Sequence, residues 1–515
     1  MRQILSLRPL LGLVALGCAA WAQMAPGGSP RGPSRALTLP LSGTGSQSGS
    51  VSTQQTANPG SGVSTVNSSV QVSGNLGGSI AGPDTPPGAV SLTLNDAVRR
   101  GLATNLGSIS AANARSQASA NRLQARSDLL PNIAVNAGET VTQVNLAAYG
   151  LKFQAPPGLP FSIPTVVGPY AYSQLQGTLN QSVLDLVSLR NYRASKESER
   201  VAALSVQDTR ELVILAVAGT YLQTLAASAR LLSQQAQVEN AQAVYNQAAV
   251  RKAAGTNARI DVIRSLVELQ TQQQRLSSID SDFRKQKIAL ARLIGLPLDR
   301  DLQLRETFSA EQVTPPDTNE AVGKAFNRRA ELRALEAQVR TAELALSAAH
   351  AERYPSVSLG GNYGVIGPNP AQTHGVFAVT GSVSVPVWEG GRIKGDIQEA
   401  EAVLRQRRAE LSDAKRRVEQ EVRNASIELQ TALGQVRLAT TNRDYAQETL
   451  TEARDRFSAG VATTVEVVQA QEQVAGAESD YVSSLFSLNL AKLSLARATG
   501  ETESNLSNLL KGDRP

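Results

Sequence analysis

From about Leu189 to Lys252 the chain runs without proline and with one internal glycine, Gly219. With so few breakers the stretch predicts a single helix, a rod of roughly 95 Å at 1.5 Å per residue. A second such stretch spans about Arg392 to Ser458. Rods of this length need lateral partners. The segments that follow them supply a seam: Val467, Ala470, Val474, Ala477, Tyr481, Ser484, Leu488, Ala491 and Leu495 step by three and four. In the earlier copy Val262, Leu269, Leu276, Phe283 and Leu290 fill one seam position, while Ser265, Gln272 and Gln286 dilute the other.

The joints between rod and return helix repeat. Arg251-Lys252-Ala253-Ala254-Gly255 with Asp261-Val262 recurs as Arg456-Phe457-Ser458-Ala459-Gly460 with Glu466-Val467, and the register holds to Gly295 and Gly500. Each joint reads as a helix ended by a left-handed glycine and restarted at once, with Asn257 and the Thr463 to Glu466 capping spacing as the new starts. Asp261 and Glu466 then lie in first helical turns, where the dipole favours an anion without any further role.

The duplication reaches further upstream. Asn95-Asp96-Ala97-Val98 matches Asn319-Glu320-Ala321-Val322, and the same offset carries Leu130-Pro131 onto Tyr354-Pro355. Each block predicts one Ala-rich helix ended by its proline. Beyond the prolines the period changes to two: strands begin at Asn132–Asn136 and Ser356–Leu359, with partners at Tyr172–Leu179 and Phe377–Val383. Alternation of this kind suits a membrane β-barrel, and Tyr149, Tyr170, Tyr172, Tyr363 and Trp388 are candidates for its interfacial girdles. Four strands cannot close a barrel, and open edges are not tolerated in lipid, so membrane strands here require several copies.

The chain begins with a secretory leader, residues 1–22: Arg2 and Arg8, an apolar run from Leu10 to Ala20, and Ala20-Trp21-Ala22 as cleavage site. Ala15-Leu16-Gly17-Cys18 loosely matches a lipoprotein box; ordinary cleavage with loss of Cys18 is the favoured reading, and lipidation of Cys18 the alternative. Residues 23–91 are Gly, Ser, Thr, Pro, Asn and Gln with isolated valines, a composition expected to stay disordered.

Composition removes several function classes. Two histidines and one cysteine exclude disulfides within the chain and Cys/His metal clusters. His350, at a helix end, and His374, in a loop, are poor candidates for catalysis. The net charge of +6 is spread over helices that also carry acids, so nucleic acid is not implied. Gly390-Gly391 lacks a following Lys-Ser/Thr and reads as a bend, not a phosphate loop. No cofactor is expected.

The paired turns around Gly255 and Gly460, the helix-proline-strand junctions at Pro131 and Pro355, and Pro386-Val387-Trp388-Glu389-Gly390-Gly391 before the second rod together resemble TolC-like outer-membrane efflux or secretion channels over about residues 92 to 500. The resemblance implies a mainly α fold with a small membrane β-barrel part. Two strand-helix-hairpin halves, 92–300 and 319–500, are joined by a linker at 301–318 and followed by a tail at 501–515. It further implies a homotrimer whose twelve strands form one outer-membrane barrel above a helical periplasmic tunnel. Partners would be outer-membrane lipid, a periplasmic adaptor and an inner-membrane pump. Gly255, Asp261, Gly460 and Glu466 would form the periplasmic mouth and dock the adaptor, with a possible acidic ring that Gln469 leaves incomplete. A periplasmic coiled-coil adaptor is the alternative reading; it would carry one hairpin between β-domains instead of two such halves.

Overall fold

The computed structural model describes residues 34–40, 50–57, 66–82, 88–150, 164–255, 258–308 and 315–503. The leader with Cys18, and Asn257, lie outside the described residues. The elements in order are β1 (Val51–Ala57), β2 (Val66–Val72), β3 (Val90–Leu92), α1 (Leu94–Thr104), α2 (Leu106–Ser127), β4 (Asn132–Asn145), β5 (Val166–Leu184), α3 (Leu186–Ala253) and α4 (Arg259–Leu293). They continue with β6 (Leu302–Leu304), α5 (Thr318–Arg328), α6 (Ala330–Ala351), β7 (Ser356–Gly367), β8 (His374–Ser384), α7 (Arg392–Ser458) and α8 (Thr464–Thr499).

The duplication is visible in the lengths. α1 and α5 have 11 residues each, α2 and α6 have 22 each, α3 and α7 have 68 and 67, and α4 and α8 have 35 and 36. At 1.5 Å per residue the two rods are each about 100 Å long. The blocks expected as single helices are instead broken, at Asn105 in the first half and at Arg329 in the second, both in extended conformation. A buried polar side chain holds each break. Asn105 donates to Leu76 O at 2.7 Å and accepts the Gly107 N–H at 2.8 Å. Arg329 pairs with Glu331 at 2.8 Å and with Glu421. The starts are capped by Thr93, which accepts the Asp96 N–H, and by Asp317, which accepts the Glu320 N–H.

The chain divides into two compact units. One comprises residues up to Leu39, Ala120–Lys196 and Thr341–Leu404; the other comprises Pro40–Ser119, Glu197–Arg340 and Arg405 onward. The first contains a four-stranded antiparallel sheet of order β4-β5-β7-β8. The strands predicted in both halves are therefore present and pair across halves, β5 with β7.

The second unit holds the main core. Val213 to Ala218, Tyr221 and Leu222 of α3 pack with Leu290 and Leu293 of α4 and Phe486, Leu490 and Leu493 of α8. α3 has a stretch long and apolar enough to cross a membrane, yet 72% of that stretch is buried inside the protein, which makes it core. On α8 the predicted seam is buried at Val467, Ala470, Val474, Ser484, Leu488, Ala491 and Leu495, with Ala477 and Tyr481 half-buried. On α4 two of the three polar positions are not diluting: Ser265 and Gln272 are buried, and Gln234 of α3 donates to Gln272 Oε1 at 2.6 Å, while Gln286 is half-buried.

Residues 23–91, read as disordered, contain ordered structure. β1 and β2 pair antiparallel from Val51↔Val72 to Ala57↔Val66, and Val70 joins the core with Val51 and Val72 packed against it. The valines there are spaced to present one apolar side, enough to fasten a short hairpin. Gly219 of α3 explains itself at this point, since a Cβ would lie 2.9 Å from the Val70 side chain.

Arg497, near the end of α8, is another buried cation of the second unit. It pairs with Asp208 at 2.6 Å and Glu211 at 2.9 Å, and its side chain and that of Glu211 are each only 10% exposed. Burial raises the Glu211 pKa above its ordinary value, with Arg497 pulling it back down.

Candidate functional site

The sheet has two chemically distinct faces, and its register defines them. Positions 133, 135, 137 and 141 of β4 align through 175, 177 and 179 of β5 with 357 to 365 of β7 and 375 to 383 of β8, taking alternate residues. This face carries Ile133, Val135, Val141, Leu175, Tyr363, Phe377, Val379 and Val383, all exposed, with Ile133 at 75% and Phe377 at 78%. Contiguous exposed apolar surface of this extent is foreign to a water-facing sheet and marks an interaction face. The alternate positions form the opposite face, with Asn136, Gln176, Thr178, Asn362, Thr380 and Ser382 among them.

Charge is nearly absent from both faces. The four strands contain no Lys or Arg and one carboxylate, Glu139, which falls in register with Ser173 and with Gly367 at the end of β7. β7 and β8 have 12 and 11 residues, the length that crosses a bilayer when tilted. Where strands meet helices, Tyr354, Val385, Val387 and Trp388 are exposed, the last at 86%, forming an aromatic and apolar rim of the kind found at membrane interfaces. Of the tyrosines proposed for girdles, Tyr363 lies on the apolar face. Tyr170 and Tyr172 fall on the polar face instead, opposite Thr142 and Thr140, because alternation and not residue type sets the direction. Among the described residues β4 pairs only with β5 and β8 only with β7, which leaves both outer edges of the sheet open there.

The hairpin turns lie in the second unit. Gly255 and Gly460 end α3 and α7 with φ of 74° and 78°, left-handed as their positions require. α4 starts after Ala258 without a side-chain cap, whereas Glu466 closes a capping box with Thr463, accepting its N–H at 3.4 Å. The structure joins the two turns through Arg251, whose guanidinium stacks 4.4 Å above the Phe457 ring and donates to Ser458 O at 3.0 Å. Beneath them Val244, Leu450, Phe457, Val467, Ala470 and Val474 form a small core. Asp261 and Glu466 both sit in first turns, each 3.8 Å from an arginine of its own hairpin, Arg264 and Arg456 respectively. Val250, Ile260, Ile263, Val461 and Val465 are exposed around these ends.

His350 and His374 are both solvent-exposed, in the last turn of α6 and the first residue of β8. Among the described residues no group of three or more His, Cys, Asp or Glu gathers in metal-binding fashion. Sequence reasoning missed Asn191, Glu352 and the Asp208–Glu211–Arg497 group. For the last a signal existed: Arg497 is one of two cations, with Lys492, in the apolar run that closes α8.

A sheet with one exposed apolar face and one polar face, in a chain that also carries two long helical hairpins, suits a membrane channel wall. The chain belongs to the outer membrane efflux protein family, which matches residues 104–296 and 321–501. It is accordingly an outer-membrane transport protein with a tunnel reaching into the periplasm, in a family of channels and not of enzymes. It is 25% identical to the pyoverdine export outer membrane protein OpmQ of Pseudomonas putida over 322 residues, covering 61% of this chain and 67% of that one. To nodulation protein T of Rhizobium leguminosarum bv. trifolii it is 23% identical, covering 64% and 70%. Its fold matches the Campylobacter jejuni CmeC outer membrane channel with a TM-score of 0.70 at 16% identity, covering 89% and 98%. The Neisseria gonorrhoeae MtrE channel, in its open state, matches with 0.66 at 18% identity, covering 90% and 98%. The family assignment sets aside the reading as a periplasmic adaptor.

Proposed function

We propose that three copies of this chain close one twelve-stranded barrel and act as the passive exit duct of a tripartite export system. The observation that carries this reading is the sheet: four strands, one apolar exposed face, one uncharged polar face and two open edges. Unpaired edges in hydrocarbon leave several backbone groups unsatisfied, each costing kilocalories, and joining β8 of one copy to β4 of the next removes them. Three such sheets reach a strand number whose bore leaves room for solutes.

In this reading the hairpin ends at Gly255 and Gly460 form the periplasmic mouth and dock a periplasmic adaptor. Their exposed Val250, Ile260, Ile263, Val461 and Val465 supply apolar contact area. An inner-membrane pump provides the energy and most of the cargo choice, in keeping with a sequence that carries no nucleotide-binding motif. Asp261 and Glu466 bias the mouth toward cations, and Arg264 and Arg456 hold them in place.

Single-channel conductance in planar bilayers tests the proposal, with wild type compared to Asp261→Asn plus Glu466→Gln. Discrete openings whose cation preference weakens in the double variant are expected. Openings with unchanged selectivity would remove the acidic mouth but keep the duct; absence of openings from inserted protein would remove the duct.

A further inference from the structure

Residues 34–39 lie extended in a groove of the first unit, and the groove addresses their backbone. Asn191, in the opening turns of α3, donates from Nδ2 to Arg35 O at 2.8 Å and accepts the Leu37 N–H on Oδ1 at 3.2 Å. Between these, the Ala36 N–H donates to Glu352 Oε1 at 2.7 Å. Ser188 adds a bond to Ser34 Oγ at 3.1 Å. Ala342, Ala345 and Ala349 of α6 and Ala400 and Val403 of α7 line the groove, small enough to let a main chain approach.

The contacts fall at three places where sheet and helices meet. Asn191 and Ser188 follow the β5 to α3 junction, Glu352 precedes β7, and Arg392 begins α7 after β8. The Glu352 side chain is 2% exposed, and its second oxygen accepts from Arg392 Nη1 at 2.5 Å. Arg392 in turn pairs with Asp396 at 2.6 Å and with Glu389. One buried carboxylate thus divides itself between the extended segment and the first residue of α7.

We propose that this groove is a peptide-binding clasp and that residues 34–39 are its fastener, locking three junctions of helix and strand together. Its ligand class is an extended peptide, read by main-chain hydrogen bonds, so sequence matters less than an unbroken backbone. When the fastener leaves, Glu352 loses the Ala36 N–H and the first turn of α7 loosens with it. This holds whether or not three copies assemble.

Hydrogen exchange of the full-length protein in detergent, read by mass spectrometry, tests it. In the native protein the Ala36 and Leu37 amides exchange at least a hundredfold more slowly than in an unstructured peptide. Asn191→Ala removes two hydrogen bonds; at about a factor of five each, protection of these amides falls roughly twenty-five-fold. Exchange of Arg392 to Asp396 rises in the same variant, while Val213 to Ala218 is unchanged, which separates opening of the clasp from global unfolding. Should that variant not fold, Leu37→Pro removes one bond from the fastener's side and leaves the groove intact, with a loss of about fivefold read at the Ala36 amide, since proline has no N–H of its own. Exchange of Ala36 and Leu37 at the unstructured rate in the native protein, or equal protection in wild type and the folded variant, overturns the proposal.

Discussion

Val379 and Thr380 are neighbours on β8, and each faces a glycine across the ladder, Gly361 and Gly360 respectively. A lysine at either position therefore meets the same backbone and no opposing side chain, and only the face differs. Val379 is 70% exposed on the apolar face and is the sixth of eleven residues in its strand, close to the bilayer midplane. A lysine on the lipid face at that depth costs about 2–4 kcal/mol, whereas one facing an aqueous bore is a water-exposed substitution, within about 0.5 kcal/mol of neutral. At 1.4 kcal/mol per tenfold, Val379→Lys lowers the folding equilibrium constant about 30- to 700-fold per chain. If three chains share one barrel, the cost is counted three times in its assembly. Urea titration of refolding into phospholipid vesicles measures both variants, with Trp388 at the rim as fluorescent reporter. The expected result is a large drop in midpoint for Val379→Lys and a small one for Thr380→Lys. Equal effects, or a larger one at Thr380, would refute the assignment of faces.

Arg497→Leu leaves buried Glu211 and half-buried Asp208 without their cation and should cost about 3–5 kcal/mol at neutral pH, read from urea midpoints. Burial already holds the Glu211 pKa high, and losing Arg497 raises it further, so this acid's contribution is most favourable below its ordinary value of 4.5 and is lost as pH rises through the folded value. The deficit of the variant should therefore shrink at pH 4, and a deficit independent of pH would contradict this. Gly460→Trp forces a side chain into a left-handed turn at roughly 1–2 kcal/mol while the space around it is open, so the protein should fold and insert but fail to export in cells; normal export would show that the turn is not a docking surface. Gly364→Val places a Cβ 2.1 Å from Leu175 O across the ladder, and membrane insertion should be lost, as judged by recovery of the protein in outer-membrane fractions.

Much of the architecture was legible because it is periodic and said twice. The rods, the paired glycine turns and the four strands each follow from spacing that the second half repeats, and their observed limits, such as Arg392–Ser458 for α7, agree with the spacing closely. The turn glycines were legible for a local reason, since left-handed φ is a property of the residue itself. Strand faces were less so: Tyr170 and Tyr172 were assigned by type to the membrane interface, yet register puts them on the polar face. The hairpin within residues 23–91 escaped notice because composition averaged over a long segment conceals three well-placed valines, Val51, Val70 and Val72.

The helix breaks show where such reading stops. Asn105 and Arg329 occupy equivalent places in the two halves and do the same thing, ending one helix and allowing another to begin after a single extended residue. They do it by different chemistry, one with a buried amide that bonds neighbouring backbone, the other with a buried cation held by two carboxylates. Comparing the halves residue by residue finds nothing in common there. What the duplication preserves is a geometric demand, a polar group buried at a bend, and either solution satisfies it because burial requires only that the group be bonded. The same logic explains Gln234 and Gln272, polar residues that look like weak points in an apolar seam and instead bond each other inside it. In a fold built largely of Ala, Gln and Ser, specificity lies in which polar groups find partners, and partners are a property of three dimensions.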